Sequence, residues 1–180
     1  MQFGSAPVVG LDIGTSAVRA AQVSAGRSGF SLTKFGQVAL PPGAVVDGEI
    51  HDPGAVTEAI VQLWKRTKPR SKKVVVGVAN QRVIVRQVDL PYLEEKDFAA
   101  SLKYQVADYI PMPVEDAEID YQILADYETE EGHIMRVLLV AAATDMIESY
   151  VDVVTEAGLT PVEKGPLAQY KEDDDQSFIK

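Results

Sequence analysis

Two apolar segments, VVGLDIG at residues 8–14 and AVRAAQVS at 17–24, are separated by almost nothing. The first is a short apolar run that ends in Asp and Gly, and the second alternates as a strand does. A connection as tight as Gly14-Thr15-Ser16 can only join antiparallel neighbours, so the chain must open with a β-hairpin. A third strand fits 29–40, where Phe30 and Leu32 alternate with smaller or polar residues until Pro41-Pro42-Gly43 stops it. Asp52 then reads as an N-cap with Pro53 in the first helical position. Val56, Ala59, Ile60, Leu63 and Trp64 follow at the spacing of one buried helical face. The run 73–79 is almost wholly apolar and predicts a strand buried on both faces. The first eighty residues therefore read β-β-β-α-β.

The following eighty have another rhythm. Residues 82–88 are β-branched, and after Pro91 a helical stripe runs through Phe98, Leu102, Val106, Tyr109 and Ile110 to a stop at Pro111-Met112-Pro113. Residues 117–125 alternate around Ile119, Tyr121 and Ile123, and Glu130-Glu131-Gly132 predicts a turn into the apolar strand 133–143. Thr144 is placed to N-cap a second helix with Ile147, Tyr150, Val151 and Val154 on one face, and Gly158 to end it. This β-α-β-β-α unit predicts a small α+β lobe whose two helices cover one side of a three-stranded sheet. Residues 164–180, with Glu172-Asp173-Asp174-Asp175, follow neither period and read as an acidic tail.

Charge narrows the function. The chain of 180 residues carries −10 overall, unevenly spread. From Gln62 to Arg86 there are eight bases and no acid, whereas from Asp89 to Glu131 thirteen acids face only Lys96 and Lys103. Such polarity suits either a binding face or two lobes of opposite sign. Nucleic acid is disfavoured by the net negative charge and by a single aromatic, Trp64, in the basic stretch. The absence of cysteine excludes disulfides, thiolate zinc sites and cysteine catalysis. The longest apolar run, Val137 to Ala143, is far short of the roughly 20 residues a membrane helix needs. With no export signal visible at the start, the expected location is cytoplasmic.

The sharpest chemical signal is Asp12-Ile13-Gly14-Thr15-Ser16, with Arg19 following. Glycine there allows a bend whose backbone N–H groups converge as a nest for phosphate oxygens. Asp12 is positioned to hold Mg²⁺ through water, Thr15 and Ser16 to add hydroxyl donors, and Arg19 to add charge. An ordinary hairpin turn containing Asp-x-Gly is the other reading of the same residues. An aspartic protease loop is a poor third: position 13 is Ile, and the helix-rich remainder does not suit that fold. His51 and His133 stand alone without metal-ligand spacing, and neither a P-loop nor a dinucleotide fingerprint occurs. No catalytic residue is assigned.

The segment from Gly10 to Arg19 resembles the first phosphate loop of actin-like ATPases, and specifically the PilM family of type IV pilus assembly proteins. Pro41-Pro42-Gly43 with Val46-Asp47-Gly48-Glu49-Ile50 is similar to that family's segment before its first helix. Val88-Asp89-Leu90-Pro91 leading to Gln105-Val106-Ala107-Asp108-Tyr109-Ile110-Pro111 resembles its inserted subdomain, and Val140–Ala143 with Ala157-Gly158-Leu159-Thr160-Pro161 completes the set. The resemblance implies an α/β, actin-like fold of ribonuclease H type: residues 1–80 as subdomain 1A, and 81–163 as an inserted α+β subdomain 1C of the SHS2 type. It implies ATP and Mg²⁺ as family cofactors. It also implies that the second phosphate loop and the adenosine-binding glycines are missing, because the pattern is left near Glu163. Binding of nucleotide by this chain is therefore expected to be weak or nil, and hydrolysis absent. The implied partner is the N-terminal cytoplasmic peptide of the inner-membrane protein PilN, held between 1A and 1C, alongside other pilus assembly proteins. The protein would thus be peripheral to the inner membrane through its partner, without direct insertion. Candidate partner-binding residues are the basic end of the first helix and Tyr109, Ile110, Pro111 and Met112. An ATP-binding cell-division protein like FtsA, or a type II secretion platform component like GspL, is the alternative.

Overall fold

The computed structural model describes residues 8–26, 29–78, 80–130 and 132–162. The acidic tail at 164–180 and Glu131 of the expected turn lie outside the described residues.

Strands β1 (Val9–Ile13) and β2 (Ala17–Gly26) form the expected antiparallel hairpin, with Ile13 opposite Val18 and Asp12 opposite Arg19. β3 (Gly29–Ala39) pairs antiparallel with β2 and slips register once. Gln22 faces Lys34 and Val23 faces Leu32, so Thr33 is an extra residue, a β-bulge. Its hydroxyl donates to the Gln22 carbonyl at 2.9 Å and accepts from the Gln22 amide at 3.2 Å, which fixes the bulge.

β4 (Val45–Val46) and β5 (Glu49–Ile50) make a small hairpin. Its turn residues, Asp47 (φ 51°) and Gly48 (φ 77°), are both left-handed, as a type I′ turn demands. Helix α1 (Pro53–Thr67) starts where the sequence predicts: the Asp52 carboxylate accepts the Ala55 N–H at 2.9 Å. It ends at Lys68, left-handed with φ 46°, whose N–H closes on the Trp64 carbonyl. α1 buries Val56, Ala59, Ile60 and Leu63 against the hairpin face that carries Val18, Ala20 and Val38. The helix approaches β3 at Gly36, where a Cβ would lie 2.2 Å from Thr67 Oγ1. β6 (Lys73–Gly77) then runs parallel to β1. Only Val74 is fully buried there, while Val75 and Val76 are half-buried. The expectation of burial on both faces is not met.

β7 (Val83–Pro91), helix α2 (Glu95–Val106), β8 (Ala117–Thr129) and β9 (Gly132–Ala143) build a second sheet, ordered β7-β9-β8 and antiparallel throughout. β7 is an edge strand, which is why it tolerates Pro91 at its end. α2 seats Phe98 and Val106 on Val88, Leu90, Met135, Val137 and Leu139, with Phe98 edge-on to Tyr121 at 4.8 Å. The helix tightens into a 3₁₀ turn at 107–109 before the proline stop.

Helix α3 (Thr144–Glu156) corrects the sequence reading in three respects. It does not join α2 on the second sheet: its buried residues Met146, Tyr150, Val153 and Val154 lie in the first core, against α1. β10 (Thr160–Pro161) follows and pairs parallel with β6, giving the first sheet the order β10-β6-β1-β2-β3. The unit 81–163 therefore does not pack as one lobe, and 83–143 alone forms the second sheet and its helix. The stripe is also rotated, because the surface it meets is a helix and a sheet edge rather than a sheet face: Met146 and Val153 are buried and Val151 is 42% exposed. Thr144 is the first helical residue rather than the N-cap, a position Ala143 holds with no side-chain bond. The stop is as expected. Gly158 (φ 76°) donates to the Thr155 carbonyl and Leu159 to the Val154 carbonyl, a Schellman cap with Leu159 buried.

Candidate functional site

The 14–16 turn sits at the carboxyl end of β1, the end of a strand where ligands gather in α/β sheets. Cross-strand pairing aims Asp12 and Arg19 at each other, and Arg19 Nη1 donates to Asp12 Oδ2 at 2.9 Å. The guanidinium read as added charge for a phosphate instead holds the carboxylate. Gly14 lies beneath the pair, where a Cβ would be 3.2 Å from Arg19 Nη1. The Gly14 N–H is bonded to the Ala17 carbonyl at 3.1 Å, so it closes the hairpin and is not part of an open nest. Gly14 also lacks a positive φ, so the turn does not use the left-handed freedom of glycine. What the turn presents outward is Thr15 and Ser16, both exposed. The Ser16 carbonyl accepts from Leu40 N–H at 2.9 Å and ties the turn to the end of β3. Burial pushes the Tyr150 hydroxyl up in pKa, and the negative charge of Asp12 adds to that shift.

The stretch proposed for partner binding divides. Ile110 is buried in the second core and Tyr109 packs against it, so both are spent on holding the helix stop to its own lobe. Pro111 is exposed. Met112 is half-buried and touches both cores, which places it at the seam between the two units.

That seam has an electrostatic clasp which the sequence did not announce. Arg82, in the link between β6 and β7, donates to Asp145 at 2.5 Å and stands 3.7 Å from Glu49. Its hydrogen bond holds the Asp145 carboxyl below its ordinary pKa. Asn80 accepts the Arg82 N–H at 2.7 Å and donates to the Gly48 carbonyl at 3.4 Å; the Tyr150 hydroxyl reaches that same carbonyl at 2.9 Å. The Asp47-Gly48 turn, the inter-unit link and α3 are thus tied at one point. The only foreshadowing in the sequence was the Asp-Gly pair itself.

Among the described residues no group of three His, Asp or Glu side chains converges for a metal. His133 stacks on Tyr92 at 4.0 Å with Asp126 and Glu128 nearby, and His51 is 4.0 Å from Glu49. His51 is exposed and His133 half-buried. No helix is long and apolar enough to cross a membrane among the described residues.

The family profile of type IV pilus assembly protein PilM matches residues 10–164. The chain belongs to the PilM family. A solved structure titled PilM-PilN type IV pilus biogenesis complex is 29% identical, with a TM-score of 0.75 over 87% of this chain and 46% of that one. The chain thus spans about half the length of that PilM-family structure. The cytoplasmic domain of EpsL, an inner-membrane component of the type II secretion system of Vibrio cholerae, matches at 17% identity and a TM-score of 0.55, covering 87% of this chain and 55% of that one. At that identity EpsL speaks for the shared fold alone. The PilM-family fold is actin-like, and the five-stranded sheet with α1 and α3 is its α/β part.

Proposed function

We propose that this PilM-family chain is a scaffold of type IV pilus assembly that holds the N-terminal cytoplasmic peptide of the inner-membrane protein PilN in the seam between its two units. The observation that carries the reading is the likeness, over 87% of the chain, to a structure of PilM in complex with PilN. The clasp of Arg82 with Asp145 and Glu49 supports it, because a peptide bridging two units needs them held in a fixed relation. Met112 and Val83, which pack against the first core at the seam, supply apolar wall, and Arg82 supplies charge. The protein would then be cytoplasmic and reach the inner membrane through its partner.

Nucleotide plays at most a secondary part in this reading. Exposed Thr15 and Ser16 fit a phosphate, whereas Asp12 is already paired to Arg19, so Mg²⁺ would meet a carboxylate that has a competing partner. ATP, when bound, would contribute its phosphates as ligands for that ion. We therefore expect calorimetry with Mg-ATP to show weak binding or none, and no hydrolysis. A fluorescence titration with the synthetic PilN N-terminal peptide tests the main reading: saturable binding is expected. Failure of well-folded protein to bind overturns it.

A further inference from the structure

The charge polarity of the sequence becomes a spatial polarity. β1 and β6 run parallel, and β2 returns antiparallel to them, so the start of β6, the β2–β3 tip and the last turn of α1 all lie at one end of the first sheet. The 14–16 turn and the junction to the second, acidic unit lie at the other. At the first end Lys65, Arg66, Lys68, Arg70, Lys72 and Lys73 are all exposed, and among the described residues none of them stands in an ion pair. Glu156, an acid of α3, is bonded instead to Thr57, about two turns up α1 from Lys65. The basic loop is stapled to the hairpin by Arg70 N–H, which donates to Gln22 Oε1 at 3.0 Å.

Beyond Gln22 the hairpin continues for four residues to Gly26, roughly 13 Å at the rise of a strand. From Ala21 outward the hairpin is apolar on one side. Phe30 is 83% exposed, Leu32 61%, Phe35 57% and Val23 50%. The Thr33 bulge is what gathers them: Leu32 pairs with Val23 and Phe35 with Ala21, so residues 30, 32 and 35 share a face although simple alternation would put 35 on the other. Phe30 stands out from the surface near the end of the hairpin.

We propose that this end of the protein docks directly on an anionic lipid bilayer, with Phe30 and Leu32 entering the headgroup region and the basic loop held against its negative charge. An apolar wedge beside a polybasic patch, with neither alone sufficient, is the two-part logic of reversible surface binding. The acidic second unit joins the first sheet at its opposite end, so its negative charge stays clear of this contact. The contact is independent of the PilN reading, and its test uses no PilN.

The full chain is sedimented with vesicles of phosphatidylglycerol and phosphatidylethanolamine, with phosphatidylcholine vesicles as the comparison. Binding to the anionic vesicles alone is expected, and its release when salt is raised from about 0.1 M to about 1 M, which shrinks the Debye length from about 10 Å to about 3 Å. Neutralising Lys68, Arg70 and Lys72 together to Gln should weaken binding about a hundredfold, since each base near the surface is worth about fivefold. Phe30→Ser should weaken it about tenfold. Neutralising Lys96 and Lys103 in the second unit should change nothing. All the substituted side chains are exposed, so circular dichroism should report unchanged folding. Equal binding of the neutralised variant and the parent overturns the proposal. So does capture by polyglutamate without capture by anionic vesicles, which would assign the end to an acidic protein.

Discussion

Gly36→Ala tests how α1 is held to the sheet. Gly36 has no positive φ, so the substitution meets no backbone obstacle and its whole effect is steric. The new methyl would sit 2.2 Å from Thr67 Oγ1 and 3.2 Å from Leu63 Cδ1. The first distance is about 1 Å inside normal contact, so the last turn of α1 must lift or Thr67 must leave its rotamer. Overpacking of this kind costs about 1–3 kcal/mol. For a protein of this length about 2 kcal/mol lowers the melting temperature by about 4–8 °C. Thr67 is an unusual neighbour, since its Oγ1 is buried without a hydrogen-bond partner. Thr67→Ala removes that unsatisfied hydroxyl, worth about 1–3 kcal/mol, and gives up one methyl, worth about 0.8 kcal/mol, so alone it should be neutral or slightly stabilising. The double variant should recover most of the Gly36→Ala loss, because the nearest atoms left are then Leu63 Cδ1 at 3.2 Å and the residue-67 Cβ at 3.4 Å. Urea denaturation of the four proteins measures the coupling, expected at about 1–2 kcal/mol. A Gly36→Ala protein that melts like its parent, or strictly additive variants, would refute the steric account.

Asp52→Ala should cost about 1 kcal/mol in thermal melts by removing the cap on α1. Gly158→Ala should cost about 1–2 kcal/mol in the same melts, since its φ of 76° is left-handed. Asp89 is bonded twice to Arg136, at 2.8 and 2.9 Å, which lowers its pKa from 3.8 to about 2. A depressed carboxyl contributes stability above its unfolded pKa and loses it as pH falls through the folded one, so stability should decline from about pH 4 to about pH 2. The Asp89→Asn protein should show a shallower decline over that interval when unfolding is followed against pH. Arg82→Ala should speed amide exchange at 80–83 and in the first turn of α3 while leaving the core of β9 protected; unchanged exchange there would show that the clasp does not hold the units.

Local chemistry made the outline legible. Asp52-Pro53, Gly158 and the three-residue gap at 14–16 each act within a few residues, and each stands where the sequence places it. The largest misreading concerns partners distant along the chain. The stripe of α3 says that the helix needs an apolar neighbour, not which sheet provides it, and the answer depends on β10 returning to β6. The phase of Phe35 was hidden because one bulged residue, Thr33, reverses every side chain after it. At the 14–16 turn the cross-strand relation went unread: a hairpin that pairs Ile13 with Val18 must also pair Asp12 with Arg19. The Arg82 clasp joins residues 63 positions apart, a distance at which charge patterning in a sequence has no vote.

The second unit leaves and re-enters the first at neighbouring points, because Val83 and Ala142 face each other across adjacent antiparallel strands. Cα atoms so paired lie about 5 Å apart. A span that short is what one tight turn closes, so the host sheet has no stake in the length of what is spliced between those positions. The second unit is in this sense a cassette: a lineage could enlarge it, trade it or delete it while α3 and β10 still found their places.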